Sequence, residues 1–357
     1  MNFIFHQKKI SGIFCTLPEN EIYFDDEIYQ YTFAPSQTLR LKKIMGYKKH
    51  RIVKQETSTL DFSIKGIEKL FADGKLHREE IGAVVVVTIT PDHFVPHVSN
   101  QIQGYFNLPQ DVICMDILQG CNGFLLGLMQ SFFLLDYLPK KKVLLVNADV
   151  LSKKVSRQDR NSFPIIGDCA ALTVVENDNR AEDIYMVIHS HGKDGNALLI
   201  PAGGSRLACS AETAQMKDAG DGNIRCLDNL VMDGTAVFQY VMQQVPPLID
   251  ELFALSRLDR QNIKWFLFHQ PNRFMLQKLA DRIRVPQEKL FMNIVENFGN
   301  PSGASIPLTT AFNIGTELCG NSYYPCCFSA FGGGLGCGAM LCNLGAMDFC
   351  ETYISNA

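Results

Sequence analysis

The residue best placed for covalent chemistry is Cys121, where a buried strand is predicted to turn into a buried helix. The segment 111–138 reads DVICMDILQGCNGFLLGLMQSFFLLDYL: an apolar strand, a tight turn at Gly120 and a helix that is apolar almost all round. Unpaired N–H groups at the start of a helix favour thiolate, the nucleophilic form of cysteine. The pattern predicts a cysteine nucleophile, against the alternative of one small core residue among twelve cysteines.

Three further groups with polar or flexible character also follow apolar, strand-like runs. His269 comes after IKWFLF, Asn300 after LFMNI, and the glycines 332–334 after YPCCFSAF. Taken singly, each has a structural interpretation: His269 as a core histidine, Asn300 as part of a turn before Pro301, and the glycines as a bend. Taken with Cys121, they supply a thiolate to attack a carbonyl, two side-chain donors for an oxyanion or enolate, and backbone N–H groups for a second oxyanion.

The elements that position these residues form two successive series of strands and helices. Strands are predicted over 81–90, 112–117, 141–150 and 167–176, and again over 263–268, 290–294, 324–331 and a last strand at GCGAMLCNL. Helices are predicted over 58–72, 98–105, from 122, over 235–255, over 273–283 and up to about 318. Such alternation predicts parallel sheets, with ligand sites at the carboxyl ends of the strands. The repeated order places Cys121, His269 and Asn300 on one edge of a two-sheet body.

Composition argues against several classes of protein. The chain has 357 residues, of which 46% are hydrophobic and 20% charged, enough for two domains or two halves of one body. A net charge of −4 without a long basic block argues against nucleic acid as a partner. No apolar run reaches the roughly 18 residues of a membrane span. Because the basic residues of MNFIFHQKK follow the apolar ones, unlike those of a signal peptide, we expect a cytoplasmic protein.

The cysteines fit a reducing compartment. Several lie within apolar runs, no C-x-x-C pair occurs, and the adjacent Cys326 and Cys327 are a poor metal site. We therefore expect core thiols, no disulfide framework and no metal. The basic residues within 42–51, around Gly46, favour a solvated surface over a clamp for a phosphate-bearing ligand.

As a set, the motifs resemble those of β-ketoacyl-acyl carrier protein synthase III, within the thiolase superfamily. They are DILQGCNGF, VNADVL, QDRN, GDCAALTVVE, FHQPN, FGNPSGASIP and SAFGGGLGCGAML, in family order over about 81–341. The resemblance implies an α/β fold with a thiolase-like duplicated βαβαβ unit in five layers, α/β/α/β/α. It implies an N-terminal half (1–180) carrying Cys121, a C-terminal half (181–357) carrying His269 and Asn300, and assembly as a homodimer.

The resemblance also implies roles for individual residues. Cys121 would accept the acyl group from acyl-coenzyme A or an acyl-acyl carrier protein, with no bound cofactor and no metal. His269 and Asn300 would hold the enolate oxygen during decarboxylation of malonyl-acyl carrier protein, in fatty-acid or related biosynthesis. Backbone N–H groups of Cys121 and Gly333 would form the oxyanion hole. The binding residues it implies are Gly234, Phe238 and Asn272 for pantetheine, Arg160 for the nucleotide, and Arg273, Lys278, Arg282 and Arg284 for the acyl carrier protein.

The chain departs from the family pattern in three places. Ile44 and Met45 precede Gly46 where family members have an arginine and a threonine that contact coenzyme A. Pro271 alters the HQAN motif to HQPN. Cys169 and Ala171 replace two glycines in GDCAAL. The coenzyme A grip is therefore altered, and the donor stays open between acyl carrier protein, a coenzyme A thioester and another acyl carrier.

Three other functions compete with condensation. An acyltransferase of the same fold would pass the acyl group to an amine or hydroxyl without decarboxylation, but Asn300 favours condensation because an enolate needs a donor. A scaffold or heterodimer partner would have no use for an intact Cys121 and His269. A cysteine protease also runs Cys, His, Asn, yet GCNGF lacks the papain-type motif.

Overall fold

The computed structural model describes residues 1–356. Numbered in chain order, its strands are β1 (Asn2–Phe5), β2 (Lys8–Pro18), β3 (Glu21–Tyr23), β4 (Lys49–Arg51), β5 (Ile81–Val87), β6 (Ile113–Ile117), β7 (Lys142–Asp149), β8 (Cys169–Asn177), β9 (Ile184–Ser190), β10 (Leu198–Leu199), β11 (Lys217–Asp218), β12 (Ile224–Arg225), β13 (Val231–Met232), β14 (Trp265–Phe268), β15 (Tyr323–Gly332), β16 (Gly336–Gly345) and β17 (Phe349–Ser355).

Its α-helices are α1 (Phe24–Glu27), α2 (Pro35–Leu41), α3 (Thr59–Ala72), α4 (Val98–Tyr105), α5 (Gly123–Leu135), α6 (Gly234–Ser256), α7 (Arg273–Ile283), α8 (Ile294–Phe298) and α9 (Ser305–Leu318), with a π-helical turn at Lys42–Gly46 after α2. The helices predicted over 98–105 and 273–283 are confirmed to the residue. Those predicted over 58–72 and 235–255 are confirmed to within one residue at each end.

Two mixed sheets dominate the fold. The larger sheet has the strand order β17-β2-β8-β7-β5-β6, and the smaller has the order β1-β9-β16-β15-β14. Apart from the edge strands, β9, β16, β15 and β14 repeat the arrangement of β2, β8, β7 and β5, so the predicted duplication is confirmed. The prediction that both sheets are parallel is wrong, because β8 and β16 run antiparallel to their neighbours. Each follows the preceding strand through a loop rather than a crossover helix, and such a connection allows antiparallel pairing.

The layers follow from which side chains each core cluster contains. Helices α3 and α4 pack on the outer face of the larger sheet, through residues such as Phe62 and Ile102. Helices α5 and α9 lie between the two sheets, through residues such as Phe124 and Leu308. Helices α6 and α7 cover the outer face of the smaller sheet, through residues such as Leu248. The order is α/β/α/β/α, which confirms the predicted five-layered thiolase-like fold.

The strand predicted over 290–294 is wrong. Leu290 makes a single bridge to Phe266, beside β14, and α8 begins at Ile294. This segment occupies the place in the smaller sheet that β6 occupies in the larger one. Leu290 and Ile294 are both buried and four residues apart, which is a helical spacing. A short apolar run does not distinguish the two structures by periodicity, which explains the error.

Each sheet takes an edge strand from the opposite end of the chain. Strand β17 pairs with β2 in the larger sheet, and β1 pairs with β9 in the smaller one. The division into halves at residue 180 therefore stays a prediction. Within residues 1–356, no helix is long and apolar enough to cross a membrane. The same residues contain no group of three or more His, Cys, Asp or Glu side chains arranged to hold a metal ion.

Candidate active site

Cys121 lies between the end of β6 and the start of α5, as the sequence predicts. A turn closes there, in which the Gly123 N–H donates to the Gly120 carbonyl at 2.7 Å. The end of β15 is packed directly against Cys121, because a Cβ built on Gly332 would lie 2.5 Å from the Cys121 Cβ. Gly332 also has φ +156°, which side chains rarely allow. Glycine at position 332 thus lets the smaller sheet approach the nucleophile carried by the larger sheet.

The environment of Cys121 differs from the expectation that a helix start favours its thiolate. Burial raises the pKa of the Cys121 thiol to about 11, and the nearby Asp149 carboxylate acts in the same direction. Hydrogen bonding from the backbone N–H groups of Cys121 and Gly333 lowers the pKa only in part. The Ser302 hydroxyl, which faces the thiol without making a well-formed hydrogen bond, also lowers it. Cys121 is therefore a thiol at neutral pH, with two backbone donors directed at its sulfur.

His269 follows β14 and is almost fully buried. Its backbone N–H donates to the Ser329 carbonyl at 2.8 Å, which aligns it with β15. Its Nδ1 lies 2.7 Å from the Ser305 hydroxyl, at the first residue of α9. Burial lowers the pKa of His269 to about 3, so its imidazole is neutral at pH 7. A neutral imidazole carries its proton on one nitrogen only. The contact with Ser305 therefore affects whether that nitrogen is Nδ1 or Nε2.

Asn300 follows α8 and is fixed through backbone contacts with the segment before β8. Its N–H donates to the Ile165 carbonyl at 2.6 Å, and its carbonyl accepts from the Gly167 N–H at 3.1 Å. Its side-chain Oδ1 accepts from the Ser302 N–H at 3.0 Å. Because that oxygen is occupied, the side chain has its Nδ2–H group to offer to a ligand.

The three predicted catalytic residues converge around Ser302. The Ser302 hydroxyl faces the Cys121 thiol, and the Ser302 backbone lies against the His269 imidazole. The His269 ring also packs edge-on against Phe331, with ring centroids 5.6 Å apart. Phe331 immediately precedes the glycine that contacts Cys121. A thiol, an imidazole and a carboxamide from three chain segments therefore meet at one point.

Two cavities adjoin at this point. The Cys121 cavity has a volume of about 380 Å³ and is also lined by Asn300 and Gly333. Its walls are mainly aliphatic, including Ile89, Leu151, Leu198, Ile200 and Leu230. The Arg160 cavity has a volume of about 470 Å³. The two cavities share three lining residues: Ile165, Met232 and Asn300. A ligand in the Arg160 cavity would therefore reach Asn300, beside the aliphatic Cys121 cavity.

The structure brings together all four residues that the resemblance implies for pantetheine and nucleotide. Arg160, Gly234, Phe238 and Asn272 all line the Arg160 cavity. Asn272 is the N-cap of α7, where its side chain accepts from the Met275 N–H at 2.9 Å.

Comparison with known proteins agrees with this geometry. Residues 115–193 match the family model described as 3-oxoacyl-[acyl-carrier-protein] synthase III, and residues 253–344 match the model of its C-terminal part. A β-ketoacyl-[acyl-carrier-protein] synthase III of Streptococcus mutans is 30% identical over 326 residues, covering 87% of this chain and 96% of the relative. The chain belongs to the β-ketoacyl-acyl carrier protein synthase III family.

Other members of the synthase III family extend the similarity to most of the chain. The Streptococcus uberis synthase III is 30% identical over 298 residues, covering 83% of this chain and 87% of the relative. The crystal structure of a 3-oxoacyl-(acyl-carrier protein) synthase from Burkholderia xenovorans superposes with a TM-score of 0.90 at 26% identity, covering 99% of each chain.

The residues that the synthase III resemblance implies for carrier docking lie on and just after α7. Lys278, Arg282 and Arg284 are exposed, and the first two are four residues apart on one helix face. Arg273 differs from them, because it is half-buried and paired with Glu296. Lys278 and Arg282 therefore share a helix face and Arg284 follows at its end, whereas Arg273 belongs to the wall beside Gly46.

The departures from the synthase III pattern have distinct locations. Met45 and Pro271 line the Arg160 cavity, whereas Ile44 is half exposed on the π-helical turn. Cys169 and Ala171 are fully buried in β8, where they fill the core between the sheets. Of these residues, only Met45 and Pro271 can contact a ligand in the cavity directly.

Three residues of the candidate site were not predicted from the sequence: Ser302, Ser305 and Asp149. Asp149 is buried at the end of β7, accepts from the Ile89 N–H at 2.8 Å and from the Thr88 hydroxyl at 3.0 Å, and has its pKa raised to about 6 by burial. All three lie inside motifs that the resemblance uses, FGNPSGASIP and VNADVL. Their proximity to a cysteine or histidine far along the chain is a tertiary property without a local signal.

Proposed function

We propose that this protein is an acyltransferase that condenses an acyl thioester with a malonyl-acyl carrier protein, with loss of carbon dioxide, in fatty-acid or related biosynthesis. The observation that carries the proposal is the convergence of Cys121, His269 and Asn300 around Ser302. Cys121 and Asn300 line an aliphatic cavity there, and Asn300 also lines the adjoining Arg160 cavity. The family membership supports the same reaction.

In the first half-reaction, Cys121 receives the acyl group. The sulfur attacks the thioester carbonyl, the carbon–sulfur bond to the donor breaks, and the thiol proton ends on the departing carrier sulfur. The N–H groups of Cys121 and Gly333, which point at the sulfur, hold the oxyanion that forms. The aliphatic walls of the Cys121 cavity then cover the acyl chain.

In the second half-reaction, a malonyl thioester enters through the Arg160 cavity and loses carbon dioxide. The two electrons of the broken carbon–carbon bond form an enolate, whose oxygen takes hydrogen bonds from His269 Nε2–H and Asn300 Nδ2–H. The enolate carbon attacks the acyl carbonyl on Cys121. Collapse of this second oxyanion expels the Cys121 thiolate and gives a 3-oxoacyl thioester.

The wider setting belongs to the same proposal. The acyl carrier protein docks against Lys278, Arg282 and Arg284, two copies of the chain form a homodimer, and the protein acts in the cytoplasm without a bound cofactor. In support of a dimer, the segment 91–96 carries the highly exposed apolar side chains of Phe94 and Val95. We place this segment near the active site of the partner.

The first half-reaction is tested by the intact mass of the protein after incubation with acyl thioesters. We expect the mass to rise by a single acyl group that maps to Cys121, and we expect no such rise in Cys121→Ser. Full acylation of that variant would contradict the covalent mechanism. An acylated protein that passes its acyl group to an amine or alcohol, and never decarboxylates malonyl thioesters, would support the acyltransferase alternative instead.

A further inference from the structure

The face of the Arg160 guanidinium is covered by the protein itself. Its guanidinium carbon lies 3.3 Å from the centroid of the Phe33 ring, which is close, face-on stacking. Its backbone N–H donates to the Asn223 side chain at 2.9 Å. Its Nε is buried and has no hydrogen-bond partner within residues 1–356. The guanidinium is thus held through its face, and burial lowers its pKa, which reflects partial loss of hydration.

A short hairpin also contacts Phe33. Strands β11 and β12 form the hairpin, and Gly222 lies at its turn with φ +80°. A Cβ built on Gly222 would lie 2.8 Å from the Phe33 ring, so the ring packs on the bare glycine backbone. Next to it, the Thr32 hydroxyl donates to the Gly222 carbonyl. The Phe33 ring therefore packs against both the hairpin and Arg160.

Apart from Arg160, the described residues that line the cavity carry no charge, and the exposed Arg40 and Lys43 are not among them. Met45 is apolar and lines the cavity, and Ile44 is half exposed beside it. Arg273, packed against Gly46, is neutralised by Glu296. The 3′,5′-nucleotide of coenzyme A carries several phosphate charges, and binding it tightly requires unpaired cations, above all arginine.

A carrier protein thioester makes different demands on the site. It brings the same pantetheine arm with a single phosphodiester, and its protein surface supplies most of the binding area. The basic face of α7, with Lys278 and Arg282, is exposed and available for such a surface. We propose that this site takes its acyl group from a carrier protein thioester in preference to acyl-coenzyme A, with the stacked pair of Phe33 and Arg160 as the specificity determinant. This proposal rests on the proposed function.

The test compares three donors that carry the same hexanoyl group: holo acyl carrier protein, coenzyme A and bare pantetheine. The kcat/KM for acylation of Cys121 is measured from intact mass. We expect the carrier protein to exceed coenzyme A at least tenfold. We also expect coenzyme A and pantetheine to agree within about threefold, because the nucleotide adds no binding. Equal or faster acylation from coenzyme A than from the carrier protein would overturn the proposal.

A variant test separates the stacked pair from general effects. Phe33→Ala frees Arg160, and we expect the ratio of carrier protein to coenzyme A rates to fall at least fivefold. Phe33→Leu, which keeps apolar bulk without a ring, should shift the ratio in the same direction if the alanine variant folds poorly. Tyr29→Ala, at a nearby side chain that is 77% exposed, should leave the ratio at its wild-type value.

The possible failures have different meanings. A wild-type ratio in both Phe33 variants would contradict the role of the stacked pair. A protein that is acylated by pantetheine and coenzyme A but not by the carrier protein would contradict the donor preference and leave the proposed condensation standing. Failure of all three donors to acylate Cys121 would contradict the proposed function, and this proposal with it.

Discussion

Ser305 is the residue that decides how the neutral His269 imidazole can be used. Its hydroxyl is fully buried, and its one hydrogen-bond partner among the described residues is His269 Nδ1, at 2.7 Å. If Ser305 donates to Nδ1, the imidazole proton lies on Nε2, which is where the proposed enolate contact requires it. With a pKa near 3, His269 keeps one proton across the neutral range. Ser305 is thus a positioning residue that acts through His269.

We predict that Ser305→Ala separates the two half-reactions. Without the hydroxyl, Nδ1 has no partner and the tautomer is no longer fixed. Decarboxylation of malonyl thioesters should therefore fall on the order of ten- to a hundredfold, while acylation of Cys121 stays near normal. The nitrogen chemical shifts of labelled His269 should change from the Nε2–H pattern to a mixture.

Thr309→Val is the matched control, because Thr309 is one turn further along α9 and its buried hydroxyl donates to the Ser305 carbonyl at 2.7 Å. It should leave both the chemical shifts and the decarboxylation rate near wild type. Unchanged His269 shifts in Ser305→Ala would rule out a role in setting the tautomer.

The raised pKa of Cys121 gives a prediction about pH. Since the thiol has a pKa of about 11, its thiolate fraction is small at pH 7 and grows as the pH rises. Alkylation of Cys121 by iodoacetamide should therefore increase about tenfold per pH unit between pH 6.5 and 9, as followed by peptide mass spectrometry. An alkylation rate that stays constant above pH 7 would contradict this prediction. It would show that the helix start stabilises the Cys121 thiolate, as the sequence predicts.

At the scale of elements, the end of β15 is what brings the two sheets together at the nucleophile. We predict that Gly332→Ala lowers the rate of Cys121 acylation by about a hundredfold or more, because the new methyl group would lie 2.5 Å from the Cys121 Cβ. The melting temperature should change little, because the clash is at the site itself. The measurements are the single-turnover acylation rate and the melting temperature.

Gly192→Ala is the comparison variant, since a Cβ there would meet nothing within 4 Å. It should keep the wild-type acylation rate. An acylation rate in Gly332→Ala equal to that of Gly192→Ala would show that the approach of β15 to Cys121 is not as close as described.

The elements show which features a sequence can specify. The buried, β-branched run at 81–90 identifies β5, and the pattern of apolar residues locates α4 and α7 to the residue. Strand β17, at a sheet edge, and strand β9, between β1 and β16, went unpredicted. The segment 290–294 was assigned wrongly because periodicity does not distinguish a strand from a helix in a short apolar run. The order of strands predicted that Cys121, His269 and Asn300 lie on one edge. Their contacts with Ser302 depend on how the two sheets pack, which no local sequence pattern specifies.

At the scale of the whole molecule, segments far apart in the chain are joined at the candidate active site. The backbone of Asn300 is hydrogen-bonded to Ile165 and Gly167, and a Cβ on Gly167 would overlap the Phe298 carbonyl at 2.0 Å. A residue after α8 is thereby fixed to the segment before β8. The duplicated fold thus builds one site from both halves, which no single motif could have specified.

We predict a homodimer, with the segment 91–96 near the partner's site. Phe94, Val95 and Leu118, the last at 70% exposure, are exposed apolar side chains of the kind that association covers. Light scattering at micromolar concentration should give twice the chain mass of 40.0 kDa. Phe94→Asp should shift the equilibrium toward monomer, because it places a charge in an apolar interface. A wild-type monomer with full activity would contradict the prediction.

The central claim is that Cys121 and the pair of His269 and Asn300 serve different half-reactions. The most direct test is Asn300→Ala, assayed in parallel for acylation by intact mass and for labelled carbon dioxide released from malonyl-acyl carrier protein. We predict near-normal acylation and a loss of carbon dioxide release on the order of 10²–10³, because one preorganised donor to the enolate is gone. Equal losses in both assays, or carbon dioxide release at the wild-type rate, would contradict the account.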